Sequence, residues 1–149
     1  MIDHVVTNVI KQVNHLLEKY ESLSLLKQKV LEEIPALEER IAERLEGSIV
    51  YKKICCHKAG CRTCGGTENA HGPYPHLQWR DERGVLKTRY ISRKNLPYFR
   101  EQLELSRKLA RDLRLLSRIQ DRQSRILRTL ENVNYQLQGK EVNRDVRAS

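Results

Sequence analysis

Large aromatic side chains are scarce in this sequence, and it contains no long apolar run. The 149 residues include one Trp and one Phe, and 39% of them are hydrophobic whereas 32% are charged. This composition excludes a thick globular core and is typical of long helices that each bury a single stripe. The length fits one domain.

Signals for membrane insertion or secretion are also lacking. No stretch of about 18 consecutive apolar residues occurs, so we expect no helix that spans a bilayer. Residues 1–13 have neither a basic leader nor a small-residue cleavage site, and we therefore expect a cytoplasmic protein. All four cysteines lie between Cys55 and Cys64. In a reducing compartment this clustering favours metal binding over disulfide bonds.

Two long segments have the periodicity of amphipathic helices. The first predicted helix covers residues 1–47, where apolar positions recur at alternating steps of four and three up to Leu23, as in a coiled coil, and at steps of three, four and four from Leu23 to Leu45. Pro35 lacks an N–H, so we expect a kink or a break near it, and Gly47 is a candidate cap at the end of this helix. Residues 93–138 form the second predicted helix, rich in arginine, and we expect the polar tail 139–149 to be disordered.

The intervening residues 48–92 have the short alternating pattern of β-strands. Residues 48–54 are one candidate strand, and residues 74–80 and 85–91 flank a favourable turn at 81–84. We predict a mainly α fold with a small β insert. In it, a long antiparallel, coiled-coil-like helical hairpin carries a zinc-ribbon-like β-hairpin at its tip. Because two helices alone leave apolar surface uncovered, we also expect a homodimer.

The cysteine-rich loop has the spacing of a metal site, C-x4-C-x2-C-x6-H. Zinc takes four such ligands in a tetrahedron, and it would supply folding energy that a small β insert lacks. The preferred ligands are Cys56, Cys61, Cys64 and His71. The alternative ligands are Cys55, His57 and His76. Small buried thiols or a redox-labile cluster are the other interpretations of the cysteines.

The stretch from Cys56 to Ile91 resembles an uncharacterised family of small prokaryotic proteins. In that family a loop of the form C-G-x-x-x-C-x-C precedes an H-G-P-Y element and a strand–turn–strand that ends in an aromatic residue. H-G-P-Y occurs here at residues 71–74, whereas His57 replaces the glycine and C-x2-C replaces C-x-C. The resemblance implies helices that flank the loop, and an accessory product of a transposon or another mobile element.

Positive charge is concentrated in the last two thirds of the chain. Residues 1–48 sum to −3, residues 49–97 to +7 and residues 98–149 to +5. This excess predicts a polyanionic partner, and arginine suits bidentate phosphate contacts. The alternative is pairing of the arginines with glutamates of the first helix. The predicted nucleic-acid-binding residues are Lys52, Lys53, Lys58, Arg62, Arg80, Lys87, Arg89, Arg93, Lys94, Arg107, Arg111, Arg114, Arg118, Arg122 and Arg125.

Aromatic residues of the insert alternate with these basic residues. Tyr51, Tyr74, Trp79 and Tyr90 are candidates for stacking on bases or sugars. Small sheets need apolar cover, however, so we favour Trp79 and Leu77 as the core of the insert, with the Lys and Arg side chains as phosphate contacts.

The leading hypothesis is a zinc-stabilised nucleic-acid-binding accessory protein that acts through phosphate contacts and dimerisation, with DNA favoured over RNA. The alternative is a coiled-coil adaptor or structural protein that binds an acidic protein partner. The sequence has no phosphate-binding glycine loop, and no Cys–His pair has the spacing of a catalytic dyad. We therefore expect that the protein is not an enzyme and that it binds neither a small-molecule substrate nor a membrane.

Overall fold

Two long helices flank a small antiparallel sheet in the computed structural model. The model describes the backbone of residues 2–64 and 71–145 and the side chains of residues 4–64 and 71–138. The elements in chain order are α1 (Ile2–Arg40), β1 (Ser48–Ile54), β2 (His71–Arg80), β3 (Leu86–Tyr90) and α2 (Leu96–Asp145). The prediction of a mainly α fold with a β insert is confirmed, whereas the placement of a zinc ribbon at the tip of a helical hairpin stays a prediction.

The chain divides into two compact units, and both helices contribute to each of them. The helical unit contains residues 1–36 and 111–149, and the sheet unit contains residues 37–110. In the helical unit Leu16 lines a groove with Ile126, while Leu26 lines another with Leu115. Since the position on α2 falls as the position on α1 rises, the two segments are antiparallel.

The helical unit buries a narrow stripe of each helix. Val30 of α1 is buried, as are Ile119 and Ile126 of α2. Gln123 is also buried, and its Nε2 donates a hydrogen bond of 2.8 Å to Ser24 Oγ across the pair of helices. A buried amide without a partner would destabilise the unit, so this hydrogen bond favours the observed register.

The sheet unit has its own hydrophobic core between one face of the sheet and the first turns of α2. The buried members of this core are Leu45, Leu77, Ile91, Phe99 and Leu103. Partly buried side chains pack against them, namely Ile49, Trp79 and Leu96. The prediction that Leu77 and Trp79 form the core of the insert is therefore confirmed.

The three strands are antiparallel in the order β1-β2-β3. Leu77 in the central strand pairs with Ile49 on one side and Arg89 on the other. Because side chains alternate across a sheet, Leu77 lies on the core face and His76 on the opposite face. In the predicted turn, Asp81 Oδ1 accepts hydrogen bonds from the backbone N–H groups of Arg83 and Val85.

The first helix ends at Arg40 rather than near Gly47, and it continues through Pro35 without a break. The early end has a cause that is remote in the sequence. Gln102 Oε1 accepts hydrogen bonds from the backbone N–H groups of Ala42 and Glu43, at 2.8 and 3.3 Å, and Gln102 Nε2 donates to Arg40 O. This side chain thus replaces the helical partners of the last turn.

The second helix is longer than predicted. It runs to Asp145, so residues 139–145 are helical instead of part of a disordered tail. A single glycine inside a long helix costs about 1 kcal/mol, and Gly139 therefore does not end it. Residues 146–149 of the predicted tail lie outside the described residues.

Replacement of Gln102 by alanine should lower the free energy of unfolding by about 1–3 kcal/mol, because it removes the partners of the part-buried N–H groups of Ala42 and Glu43 and of the Arg40 carbonyl. Urea denaturation measures this change. Glu104→Ala is the matched control, since Glu104 follows Gln102 closely on the same helix but is exposed. Equal stability of the Gln102 and Glu104 variants would contradict the capping role.

Candidate metal centre

Four side chains from both ends of the β1–β2 connection come together. Cys56 lies two residues after the last residue of β1, Cys61 and Cys64 belong to the loop, and His71 is the first residue of β2. Ile54 pairs with His71 as the last pair of the β1–β2 ladder. The ladder therefore brings the start and the end of the loop to the same place.

The donor atoms of these four residues form a tight group. The Sγ atoms of Cys56, Cys61 and Cys64 and a ring nitrogen of His71 all lie within 4.8 Å of one another. Cys56 Sγ is 3.2 Å from Cys64 Sγ, and Cys61 Sγ is 3.2 Å from His71 Nε2. Among the described residues, no other group of three or more Cys, His, Asp or Glu side chains has this geometry. The group can hold a metal ion.

Two left-handed residues turn the chain between Cys56 and Cys61. His57 has a φ of 52° and Gly60 a φ of 74°. Between them, the backbone N–H of Cys61 donates to Lys58 O at 3.3 Å. This turn directs Cys61 back toward Cys56. A Cβ at Gly60 would meet no atom, so the glycine serves the backbone conformation rather than close packing.

The H-G-P-Y element has a structural explanation at its glycine. Gly72 has a φ of 115°, and a Cβ on it would lie 2.8 Å from Tyr74 N and 3.0 Å from Lys52 O. Any other residue would therefore push β1 and β2 apart. The following peptide bond, Gly72–Pro73, is cis. The element fixes the start of β2, where His71 enters the cluster.

The cluster contains one thiol that resists ionisation and one that ionises readily. The backbone of Lys58 donates to Cys56 and lowers its pKa, but the Cys64 thiol, burial and the Cys61 thiol outweigh this and raise the pKa of Cys56 to about 11. Backbone groups of Cys64 and Thr63 donate to Cys61 and hold the pKa of Cys61 below its usual value. A metal cation would replace the thiol protons of this group.

The structure separates the preferred ligands from the alternative ones. Cys64 is 1% exposed, and the other three members of the cluster are half-buried. Cys55 and His57 lie next to Cys56 in the chain but do not belong to the cluster. His76 is buried in the sheet, where its Nδ1 contacts Tyr74 O at 3.0 Å. One of the two adjacent cysteines therefore joins the group, as the sequence predicts.

Several of the basic residues predicted to bind nucleic acid have partners within the chain. Arg89 is paired with Glu43 at 3.2 Å and lies over the Phe99 ring. Lys87 is 3.6 Å from Asp81. Two more donate to backbone carbonyls, namely Arg80 to Gly84 O and Arg107 to Gly47 O.

The remaining predicted basic residues are solvent-exposed, apart from the half-buried Lys52. These exposed residues are Lys53, Lys58, Arg62, Arg93, Lys94, Arg111, Arg114, Arg118, Arg122 and Arg125. A further contact was not predicted: Arg100 donates a hydrogen bond of 2.7 Å to the Tyr51 hydroxyl. An Arg and a Tyr 49 residues apart carry no local pattern that would reveal such a pair.

Together, the sheet and the cluster define a small α+β module with a Cys3His group at the mouth of its β1–β2 loop. The chain belongs to the family described as Domain of unknown function (DUF6788), which matches residues 27–101. This agrees with the resemblance to an uncharacterised family. The match includes all three strands and the Cys3His group, and it ends before Arg107. No curated protein and no solved structure matches the chain.

Within residues 2–64 and 71–145, neither α1 nor α2 contains a segment that is apolar enough over sufficient length to cross a bilayer. This finding agrees with the absence of long apolar runs in the sequence.

Purified protein should retain one metal ion per chain, and Cys64→Ala or His71→Ala should abolish its retention, because each removes one of four donor atoms. Metal content by inductively coupled plasma mass spectrometry measures this. Cys55→Ala and His57→Ala are the matched controls, and both should retain the ion. Loss of metal in the controls, or retention in Cys64→Ala, would show that the ligand set is wrong.

Proposed function

We propose that this chain is a zinc-stabilised protein that binds nucleic acid, with DNA favoured over RNA, and that binding rather than catalysis is its activity. The proposal has two parts. Zinc in the Cys3His group organises the β1–β2 loop of the sheet unit. Exposed arginines of α2 in the helical unit contact phosphates.

The donor set favours zinc over other common ions. Three thiolates and one imidazole are soft or borderline ligands, which suit zinc and disfavour magnesium or calcium. Tetrahedral zinc with bonds of about 2.3 Å to sulfur separates its sulfurs by about 3.8 Å. Cys56 Sγ and Cys64 Sγ are 3.2 Å apart, so a small outward movement accommodates the ion. The backbone donors to Cys61 would further stabilise a bound thiolate.

The observation that carries the nucleic-acid proposal is a row of exposed arginines on α2. We call it the arginine row: Arg111, Arg114, Arg118, Arg122 and Arg125. Steps of three and four residues keep these side chains on one side of the helix over about 21 Å. All five are exposed.

Internal pairing does not account for the arginine row. Ion pairs within the described residues include Arg40–Glu101, Lys87–Asp81 and Arg89–Glu43. None of them includes a member of the row, although α1 carries several glutamates that the alternative hypothesis assigns to this pairing. Five guanidinium groups without an acidic partner in the described part of the chain suit a ligand that supplies evenly spaced negative charge. A phosphate backbone has that charge.

We further propose that the chain dimerises through the helical unit, and a row of apolar side chains on α1 supports this. Val6, Ile10, Leu17 and Leu31 lie within about 60° of one another on the helix and are 44–53% exposed. A second copy of the chain would cover them, as in a four-helix bundle. The alternative function, an adaptor for an acidic protein partner, would use this apolar row together with the arginine row.

The link to a mobile element rests only on the resemblance of residues 56–91 and stays a prediction.

The double variant Arg118→Gln/Arg122→Gln should weaken binding to a labelled 20-base-pair DNA. It should also reduce the slope of log K against log salt by about two, since each phosphate contact contributes about one counterion. Fluorescence anisotropy over a range of NaCl concentrations measures both effects.

Lys11→Gln/Lys29→Gln removes the same charge from exposed positions of α1 and is the matched control. Its slope should equal that of the unmodified chain. If both double variants lose equal affinity, net charge and not the arginine row is responsible. Absence of binding at low salt would reject the nucleic-acid proposal.

Leu17→Glu should convert the proposed dimer to a monomer, because it introduces a charge into the apolar row. Sedimentation equilibrium at micromolar concentration measures the mass. Leu25→Glu is the control, since Leu25 is 64% exposed on a different side of α1 and should leave the dimer intact. A monomeric unmodified chain would contradict dimerisation.

A further inference from the structure

The face of the sheet opposite the core carries a cluster of aromatic rings. His76 in β2 pairs with Val50 of β1 and Tyr90 of β3, and Tyr74 pairs with Lys52. Alternation along the strands therefore places Tyr74, His76 and Tyr90 on one face, away from Leu77 and Trp79. We call this the aromatic face. The same alternation explains why Trp79 is unavailable for stacking on a ligand, since it packs against the core.

The rings of the aromatic face hold one another in fixed orientations. The Tyr90 ring lies 5.6 Å from the His76 ring at an interplanar angle of 67°, and 6.1 Å from the Tyr74 ring at 79°. His76 is 8% exposed and is fixed by the contact of its Nδ1 with Tyr74 O. Tyr90, in contrast, is 55% exposed. A ring that is both oriented by its neighbours and open to solvent loses little entropy when a ligand stacks on it.

The surroundings of the aromatic face are basic and polar. Lys52 lies beside Tyr74, and Arg80 lies on the same face at the far end of β2. Arg80 donates one hydrogen bond to Gly84 O and keeps its charge and its other donors. Gln78 and Thr88 pair across β2 and β3 between these charges and offer hydrogen-bonding groups. The acidic side chain of Asp81, in the turn that follows β2, is paired with Lys87.

We infer that the aromatic face is a stacking platform for unpaired bases, so that the sheet unit binds single-stranded nucleic acid. This inference rests on the proposed function and names its ligand class. Aromatic side chains on an open sheet stack on bases of any sequence, whereas a duplex keeps its bases stacked on one another. Lys52 and Arg80 supply the positive charge that the backbone of the strand requires.

The test compares labelled single-stranded oligothymidine of 20 nucleotides with a 20-base-pair duplex, using the full metal-loaded chain and fluorescence anisotropy. Tyr90→Ala should weaken binding of the single strand about tenfold or more and leave binding of the duplex unchanged. Tyr90→Phe should bind the single strand as tightly as the unmodified chain does, because phenylalanine retains the ring. Tyr135→Ala is the matched control, since Tyr135 is 79% exposed on α2 and far from the sheet in the sequence.

A second measurement does not depend on a folded variant. Photo-crosslinking of a 5-iodouracil oligonucleotide to the unmodified chain, followed by mass spectrometry, should label Tyr90 or Tyr74. Cross-links confined to the helical unit would overturn the inference. Equal single-strand affinities of the unmodified chain and Tyr90→Ala would do the same.

The two proposals fail in distinguishable ways. Binding that depends on Arg118 and Arg122 but not on Tyr90 would reject the stacking platform and leave the proposed function intact. Lack of binding to both oligothymidine and the duplex at low salt would reject both.

Discussion

The crowding of three sulfurs and one imidazole at the mouth of the β1–β2 loop is the constraint from which the rest of the sheet unit follows. Cys56 Sγ and Cys64 Sγ are 3.2 Å apart, and so are Cys61 Sγ and His71 Nε2. Thiolates at this distance repel one another unless a proton or a cation lies between them. A bound ion would remove the repulsion and would fix the loop, whose described residues 55–64 form neither helix nor strand.

The position of the cluster determines which side chains lie on each face of the sheet. By holding Cys56 near His71, a metal ion would fix the end of the β1–β2 ladder and therefore the register of β2. That register directs Leu77 and Trp79 to the core and Tyr74 and His76 to the opposite face. A shift of one residue would exchange the two faces. In the proposed function, metal binding thus supports the ligand surface indirectly, without contact between the ion and the nucleic acid.

Local sequence patterns predicted the parts of the structure that local physics determines. Alternation predicted β1 at 48–54, and it is observed at Ser48–Ile54, because strand pattern and strand burial share a period of two. Ligand spacing selected the four residues that the structure brings together, since a short loop leaves few arrangements of its donors. Alternation along β2 predicts which of its residues share a face. The partners of these residues on β1 and β3 follow only from the register in the structure.

Other features depend on residues far apart in the chain, and no local pattern revealed them. The end of α1 at Arg40 depends on Gln102, which bonds the backbone of Ala42 about sixty residues away. Leu45 likewise donates its backbone N–H to Ser106 Oγ. The seam of apolar residues continued past residue 40 in the sequence, so periodicity alone extended the helix too far. The side chains of Gln102 and Ser106 carry no signature that distinguishes a tertiary cap from an exposed polar residue.

Zinc K-edge X-ray absorption of the purified chain tests the metal cluster most directly, because it reports the identity and distance of the donor atoms around the ion. Coordination by three sulfurs at about 2.3 Å and one nitrogen at about 2.0 Å is the expected result. A zinc shell made of oxygen and nitrogen alone, or purified protein without zinc, would contradict it.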